Sequence, residues 1–337
     1  MALADCEQKV FFLSQPENYP VRTLRVQVKE THLSWVFLTD AHAWKLKKPV
    51  RTDVLDFSTP EARRRNCETE VCLNRRLARD VYLGVVALIR DAQGKLSLVG
   101  KEQPVDWLVW MRRLPDERML DQIIAHHAVC EAEIRQLGRT LADFYHQAAP
   151  VNLTAEAYCQ RLLRTIRTNQ FELTKPEYGL RVSLINAIAE SQLQFLQYNR
   201  GVLAARANNG KIVEGHGDLR PEHICLEREP VIIDCLEFNR ELRLLDPVSE
   251  LAFLALECER LGASKVGERI FQEYTEQTGD HPPLSLLSFY QSMQACRCAK
   301  VAVWHLQSHE VVDRATWIGK ANQYLKMAAC FSTATIP

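Results

Sequence analysis

Apart from one helical stretch, the apolar residues of this chain up to about residue 112 read mostly as strands, and beyond about Leu114 they mostly recur every three or four positions as they do in helices. That change of character confines the fold to an α+β arrangement with the sheet in one part and the helices mostly in the other. From Leu24 to about Val50, "LRVQVKETHLSWVFLTDAHAWKLKKPV" is rich in β-branched and aromatic residues and predicts two or three antiparallel strands. Ser58 with Glu61 makes a capping box and Pro60 suits a first helical turn, so a helix is expected from about Pro60 to Ala78. "YLGVVALIR" and "KLSLVG" read as a hairpin across "DAQG", and "DWLVWMRRL" as one further strand. Beyond it Ile134, Leu137, Leu141 and Phe144, and later Leu251, Leu254, Cys258 and Leu261, share helical faces. Strand-like runs return only at "KIVEGHGDL" and "PVIID", read as a small hairpin holding two aspartates. The division expected is a β-rich lobe over 1–112 and a mostly helical lobe over 113–337.

Composition removes several function classes. The 337 residues are 47% hydrophobic and 25% charged, which supports a large core, and two lobes suit the length. Lys plus Arg and Asp plus Glu both total 42, so no overall field favours nucleic acid or an anionic membrane. Eleven cysteines are scattered without a CxxC, and the polar N-terminus does not read as a secretory signal, which points to the reducing cytoplasm. Cys296 and Cys298, two apart on a helix, face different ways and make a poor zinc pair. No apolar run approaches the roughly 20 residues that span a bilayer, so a soluble protein is expected.

The chemistry concentrates in "GHGDLRPEHICLEREPVIID", Gly215 to Asp234. Two carboxylates, Asp218 and Asp234, each beside a short apolar run, suggest a cation held between them, most naturally a metal ion. Upstream, Lys45 and Lys47 point to one face of a strand and alternation does not separate them. Glu70 shares a helix face with Leu73 and Leu77 and so points inward, where a carboxylate needs a cationic partner. Glu68 neighbours Arg64 and Arg65 in what reads as a solvated bridge.

A strand lysine, a helix glutamate, an aspartate in "HGDLRPEHI" and an aspartate ending "VIID" come in the order of the protein-kinase-like signature. The loop resembles the HGDxxxxN form of aminoglycoside phosphotransferases and choline kinases. "THLSWVFLTDAHAWKLKKPV", "ETEVCLNRRLARDVYLGVV" and "IIDCLEFNRELRLLDPVSELAFLALE" are similar to a bacterial branch of that superfamily. Its longer members add a P-loop ATP-binding domain; no Walker A sequence occurs here. The resemblance runs over roughly residues 25 to 305 and implies a two-lobed kinase-like fold with ATP and Mg²⁺ as cofactors and a small-molecule hydroxyl as acceptor. It implies that Lys45 contacts the α- and β-phosphates, with Ala43 before it as in A-x-K, and that Glu70 fixes the lysine. Asp218 then orients the attacking hydroxyl, Asp234 holds Mg²⁺ and Met111 lines an adenine pocket between the lobes. Arg220, two residues after Asp218, stands where a cation offsets charge on the γ-phosphate, and a plain surface arginine is an equally good reading. His216 braces the loop. Asp246 either ties the catalytic loop to the following helix or caps that helix, the second being the stronger reading.

The pattern departs from the family at two points. His223 stands where a metal-binding asparagine is usual, leaving either a weak second metal position or an imidazole that meets phosphate. No GxGxxG precedes Lys45, and His32 and Ser34 in "KETHLSW" are the substitute phosphate donors. These departures keep a second reading open: a nucleotide-binding regulatory module that binds a protein partner and transfers phosphate poorly or not at all. An unrelated metal hydrolase built on Asp218, His223 and Asp234 would leave Lys45 and Glu70 without a role. Arg297 and Lys300, one turn apart, are expected on a solvated face, and Glu237 stands one position off the choline-kinase spacing.

Overall fold

The computed structural model describes residues 2–52, 55–307 and 313–333, and the chain divides into two compact units. One comprises residues 1–122 and 223–242, the other 123–222 and 243–337, so the chain leaves the first unit and returns to it. Where the sequence pattern changes at residue 112, the first unit runs ten residues further and takes in the segment around Asp234.

The first unit begins with helix α1 (Ala2–Leu13), which the sequence reading did not anticipate. Strands β1 (Gln27–Glu30), β2 (Ser34–Leu38) and β3 (His42–Lys47) follow as an antiparallel meander. The short pair β4 (Arg51–Thr52) and β5 (Leu55–Asp56) leads to helix α2 (Pro60–Asn74), then come β6 (Tyr82–Arg90), β7 (Leu96–Ser97) and β8 (Pro104–Arg112). The main sheet has the order β1-β2-β3-β8-β6-β7, which makes β3 and β8 central neighbours. Alternation along β3 divides its side chains between two cores. Trp44 and Leu46 join Phe37, Leu108 and Leu13 of α1 on one face, while Ala43 joins Val109, Met111 and Cys67 and Val71 of α2 on the other. A buried cluster ties the layers: Arg63 of α2 grips Asp106 of β8 through two 2.8 Å bonds, and Lys9 of α1 meets the same carboxylate at 2.9 Å.

Helix α2 starts at Pro60 as expected but corrects the expected cap and the expected end. Thr59, not Ser58, is the N-cap and accepts from the Ala62 amide, while the Ser58 hydroxyl turns back to Asp56 and Glu61 pairs with Arg64. With Pro60 at the first helical position, the preceding residue takes the extended conformation that a cap requires. The helix ends at Asn74, short of Ala78, where the Arg76 and Leu77 amides bond the carbonyls three residues back and turn the chain.

The second unit is helical. Helix α3 (Leu120–Ala125) straddles the boundary, and α4 (Glu131–Gln147), α5 (Ala155–Leu173), α6 (Val182–Tyr198) and α7 (Arg200–Asn208) follow. After the strand β9 (Val213–Glu214), β10 (Ile224–Cys225) and β11 (Val231–Ile232) belong to the first unit, and β12 (Leu244–Leu245) returns to pair with β9. The remainder is α8 (Pro247–Arg260), α9 (Ser264–Thr278), α10 (Leu284–Trp304) and α11 (Arg314–Thr333). Phe253 and Leu256 of α8 pack with Ala295, Ala299 and Val303 of α10 and Leu325 of α11. Where α9 crosses α8, a Cβ on Gly267 would lie 2.6 Å from Ala255 Cα, so the approach depends on glycine. Among the described residues no helix is long and apolar enough to cross a membrane.

The two aspartates are not held by one hairpin, as the sequence suggested. Asp218 follows β9, whose partner is β12, whereas Asp234 follows β11, whose partner is β10. The short helical turn Pro221–His223 redirects the chain before β10, and the two carboxylates therefore belong to different compact units.

Candidate functional site

In the first unit the β10–β11 hairpin aligns Ile224 with Ile232, and the Ile233 amide donates to the His223 carbonyl at 2.9 Å. This register brings His223 and Asp234 side by side, with His223 Nε2 3.6 Å from Asp234 Oδ2. Asp234 has a left-handed backbone, φ 60°. A non-glycine residue pays for that conformation, and Asp and Asn tolerate it better than most. Two side chains hold it there: the Asp234 amide donates to the Tyr82 hydroxyl at 3.0 Å, and the Cys235 amide to Asn74 Oδ1 at 2.8 Å. Asn74 Nδ2 in turn donates to the Glu70 carbonyl, so the end of α2 braces the aspartate.

Five charges of alternating sign run from this point through the interior. Lys45 Nζ lies 2.6 Å from Asp234 Oδ1 and 2.8 Å from Glu70 Oε1. Lys47 Nζ takes the other Glu70 oxygen, Oε2, and Glu237 Oε1, both at 2.5 Å. Glu70 is fully buried, on the α2 stripe formed by Cys67, Glu70, Val71 and Asn74 rather than with the half-buried Leu73 and Leu77. Both lysines thus engage Glu70, which is why strand parity could not choose between them. They differ at the far end, since only Lys45 reaches Asp234, whose carboxylate is 43% exposed.

The field follows from this order. Burial alone would raise the Asp234 carboxyl, but the Lys45 ammonium, with His223 and Lys47 behind it, holds it well below the usual carboxylate range. Glu70 is likewise held down against burial by Lys45 and Lys47. Burial opposes the charge on both lysines, yet Asp234 and Glu70 hold Lys45, and Glu237 and Glu70 hold Lys47, above the ordinary lysine value. Asp234, Glu70, Lys45 and Lys47 therefore stay ionised at neutral pH.

The other candidates of this unit lie around it. Met111 on β8 is buried opposite Ala43 and forms an apolar wall with Leu38 and Val109. Ser34 is buried at the start of β2, opposite Lys47, while His32 is exposed in the preceding turn. Glu68 is exposed and pairs with Arg64 at 2.6 Å.

In the second unit the Asp218 loop is fixed by Glu250 of α8, a residue the sequence reading did not single out. Its carboxylate accepts from the His216 amide at 2.9 Å, from the Gly217 amide at 2.5 Å and from the Tyr145 hydroxyl at 2.8 Å. A Cβ on Gly215 would come within 2.6 Å of that carboxylate, and Gly217 is left-handed at φ 89°. The glycines of "GHGD" are therefore demanded by the clamp. Glu250 lies one turn after Asp246, and that spacing was the available signal. Asp246 itself caps α8 through the Val248 amide and takes both Nε and Nη2 of Arg206. His216 is buried and its Nδ1 accepts the Asp218 amide at 3.3 Å. Arg220 Nε lies 3.7 Å from Asp218 Oδ1, and its guanidinium sits over the Phe253 ring. Burial disfavours that cation, but Asp218 and then Glu222 hold it above the ordinary arginine value.

No protein-family model matches the chain. It is 36% identical over 280 residues to the uncharacterized proteins Rv2004c of Mycobacterium tuberculosis (strain ATCC 25618 / H37Rv) and Mb2027c of Mycobacterium bovis (strain ATCC BAA-935 / AF2122/97). The match takes in 82% of this chain and 54% of those proteins, so the chain spans about half the length of the curated relatives it matches. Among solved structures it is similar to aminoglycoside 2'-phosphotransferase-IIIa in its GDP complex, with a TM-score of 0.55 at 13% identity over 96% of this chain and 98% of that one. A choline/ethanolamine kinase family protein from Mesorhizobium loti gives 0.53 at 13% identity over 99% and 100%. Plasmodium vivax ethanolamine kinase gives 0.52 at 11% identity over 94% and 85%. The chain has the α+β, kinase-like fold that these structures share.

Proposed function

We propose that this protein is an ATP-dependent phosphotransferase that passes the γ-phosphate to a hydroxyl of a small molecule. The observation that carries the reading is the charge chain ending at Asp234, in which a fully buried glutamate fixes Lys45 against an exposed carboxylate with a strained backbone. Such strain and alternating charge cost stability and recur where a site is preorganised for a charged ligand. In this reading Lys45 neutralises the α- and β-phosphates, and Met111 beside Ala43 offers the apolar surface for adenine.

The donor set also fits Mg²⁺, a hard cation that is commonly held by one or two carboxylates together with substrate phosphates. Asp234 supplies such a carboxylate, ionised and accessible; His223, a nitrogen donor, suits phosphate or Asp234 better than it suits the metal. When bound, the ion would offset the charge of the phosphates and hold them in register. Asp218 would orient the acceptor hydroxyl and take its proton, with its loop set by Glu250, and Arg220 would offset charge that develops as the phosphoryl group moves.

Calorimetry with Mg·ATP, and phosphate transfer scored over a panel of hydroxyl compounds, test this. Asp234→Asn and Lys45→Met should weaken nucleotide binding at least tenfold, a loss of about 1.4 kcal/mol or more. Asp218→Asn should bind nucleotide as wild type and fail in transfer. Undiminished binding in the first two variants would overturn the reading. One observation favours a second reading, a nucleotide-binding regulatory module: His223, not a metal-binding amide, stands beside Asp234. Nucleotide binding lost in Asp234→Asn, with no transfer to any acceptor by the wild type, would select it.

A further inference from the structure

Outside the charge chain, three half-buried cations, Arg220, Arg297 and Lys300, stand on one stretch of the second unit. Arg297 of α10 lies over the Phe253 ring, 4.3 Å from its centroid, and Arg220 lies over the same ring at 5.5 Å. Phe253 is buried under them. Arg297 is fixed by its Nε bond to Gln294 Oε1 at 2.6 Å, and Gln294 by its own bond to the Ser249 hydroxyl at 3.2 Å. One turn on, Lys300 stands over the Trp304 ring at 5.0 Å. Among the described residues neither Arg297 nor Lys300 has a carboxylate within ion-pair distance, and Arg220 Nε is buried without a hydrogen-bond partner.

The acids nearby are engaged elsewhere. Glu257 is bound by Arg260 at 2.8 Å and by the Tyr324 hydroxyl at 2.7 Å, and Glu222 faces Arg260 at 3.9 Å. Glu172 takes Lys175 at 2.9 Å and the Tyr178 hydroxyl at 2.6 Å. Asp218 stands nearest Arg220, at 3.7 Å, with Glu222 and Glu257 acting on it from further away. Half-buried like charges one helical turn apart repel each other and lose hydration, and a chain keeps them cheaply only where an anion arrives to pair them. Burial, with Arg297 next to it, pushes the Lys300 ammonium below its ordinary value. Two guanidiniums held over one aromatic ring offer fork-shaped donors, which suit a carboxylate or phosphate group.

We infer that Arg220, Arg297 and Lys300 form a binding site for an anionic group on the acceptor, so that the hydroxyl compound presented to Asp218 is a carboxylate or a phosphate ester and not a polycation. The assignment of the anion to an acceptor rests on the phosphotransferase reading; the anion site itself does not. The same chemistry could come from a phosphate of the nucleotide, and the test separates the two sources.

The test uses the whole chain without nucleotide. Gluconate and glucose 6-phosphate serve as hydroxyl-bearing anions, kanamycin and choline as hydroxyl-bearing cations, each titrated by calorimetry into wild type, Arg297→Met and Lys300→Met. The anions should bind the wild type, and each substitution should weaken them about tenfold or more, the worth of a charge-assisted contact. Nucleotide affinity should be unchanged in both variants. Arg297→Lys, which keeps the charge but loses the fork, should fall between and serves if Arg297→Met does not fold. Where transfer is observed, KM for the anionic acceptor should rise with little change in kcat. Anion binding insensitive to both substitutions, tighter binding of the cations than of the anions, or loss of nucleotide affinity in the variants would each overturn the inference. Anion binding that is lost in the variants of a protein showing no transfer would keep the site and sink the phosphotransferase reading.

Discussion

Replacing Lys47 with methionine takes one cation out of the charge chain while keeping most of the stem volume, and the structure sets what that should cost. Lys47 is only 1% exposed and lies 2.5 Å from both Glu70 Oε2 and Glu237 Oε1. Removing one partner of a buried pair costs about 3–5 kcal/mol because the other charge is left in a poor medium. Glu70 keeps Lys45 at 2.8 Å, so the loss should sit at the lower end, about 3 kcal/mol. Glu237→Gln leaves Lys47 an acceptor oxygen and should cost less, about 1–2 kcal/mol. Because the two residues share one contact, the double variant should cost about 1–2 kcal/mol less than the sum of the singles. Urea unfolding followed by tryptophan fluorescence reads this, since Trp35, Trp44, Trp107 and Trp110 all belong to the first unit. Additive costs would refute the pairing, and a Lys47→Met cost below about 1 kcal/mol would refute the buried chain as a whole.

Four further outcomes are expected. Glu250→Gln sets an amide N–H against backbone donors and should lower kcat for phosphate transfer about 10- to 100-fold with nucleotide affinity kept, read by steady-state kinetics. Asp234→Asn retains a residue that tolerates φ 60° and removes the charge. The wild-type carboxyl is held below its unfolded value of about 3.9, so its stabilisation is full above that value and is lost as pH falls through the folded one; the gap in urea midpoint between wild type and variant should close below about pH 4, and a pH-independent gap would exclude the ion pair as its source. Thr59→Ala should cost about 1 kcal/mol in thermal unfolding and Ser58→Ala clearly less, because only Thr59 caps α2. Gly267→Ala forces a Cβ against Ala255 and should cost about 1–3 kcal/mol by the same measurement.

The fold was legible where local chemistry and tertiary context agree. The strands around Trp44 and Trp110 and the long helices carry periods that packing merely confirms, and the kinase-like fold follows from their order. Helix α1 escaped because "DCEQKVFFL" buries Lys9, a residue that reads as solvated until Asp106, nearly a hundred positions away, supplies its partner. The hairpin assignment failed for a related reason. β9 and β11 are two residues long, too short for propensity to name a partner, and β12 comes from beyond Asp234.

The candidate site shows the same limit more sharply. Sequence order brought Lys45, Glu70 and Asp234 into one argument, and helix geometry turned Glu70 inward, but neither could show that one carboxylate serves two lysines. Period reports the face on which a side chain lies, whereas the partner depends on distances set by other elements. That is why Lys47 stayed an alternative to Lys45 although the two act together: Glu70 has two oxygens, and β3 delivers an ammonium to each. The strain at Asp234 has the same origin. Its left-handed backbone is legible in no dipeptide, because the Tyr82 hydroxyl and the Asn74 amide oxygen that sustain it come from β6 and α2. Loosening either support should therefore move Asp234 before it moves Lys45: Tyr82→Phe removes the acceptor of the Asp234 amide and leaves the lysine's bond to Glu70 in place. The expected result is weaker Mg²⁺ dependence of nucleotide binding with metal-free nucleotide affinity retained, and equal losses of both would place the support of Asp234 elsewhere.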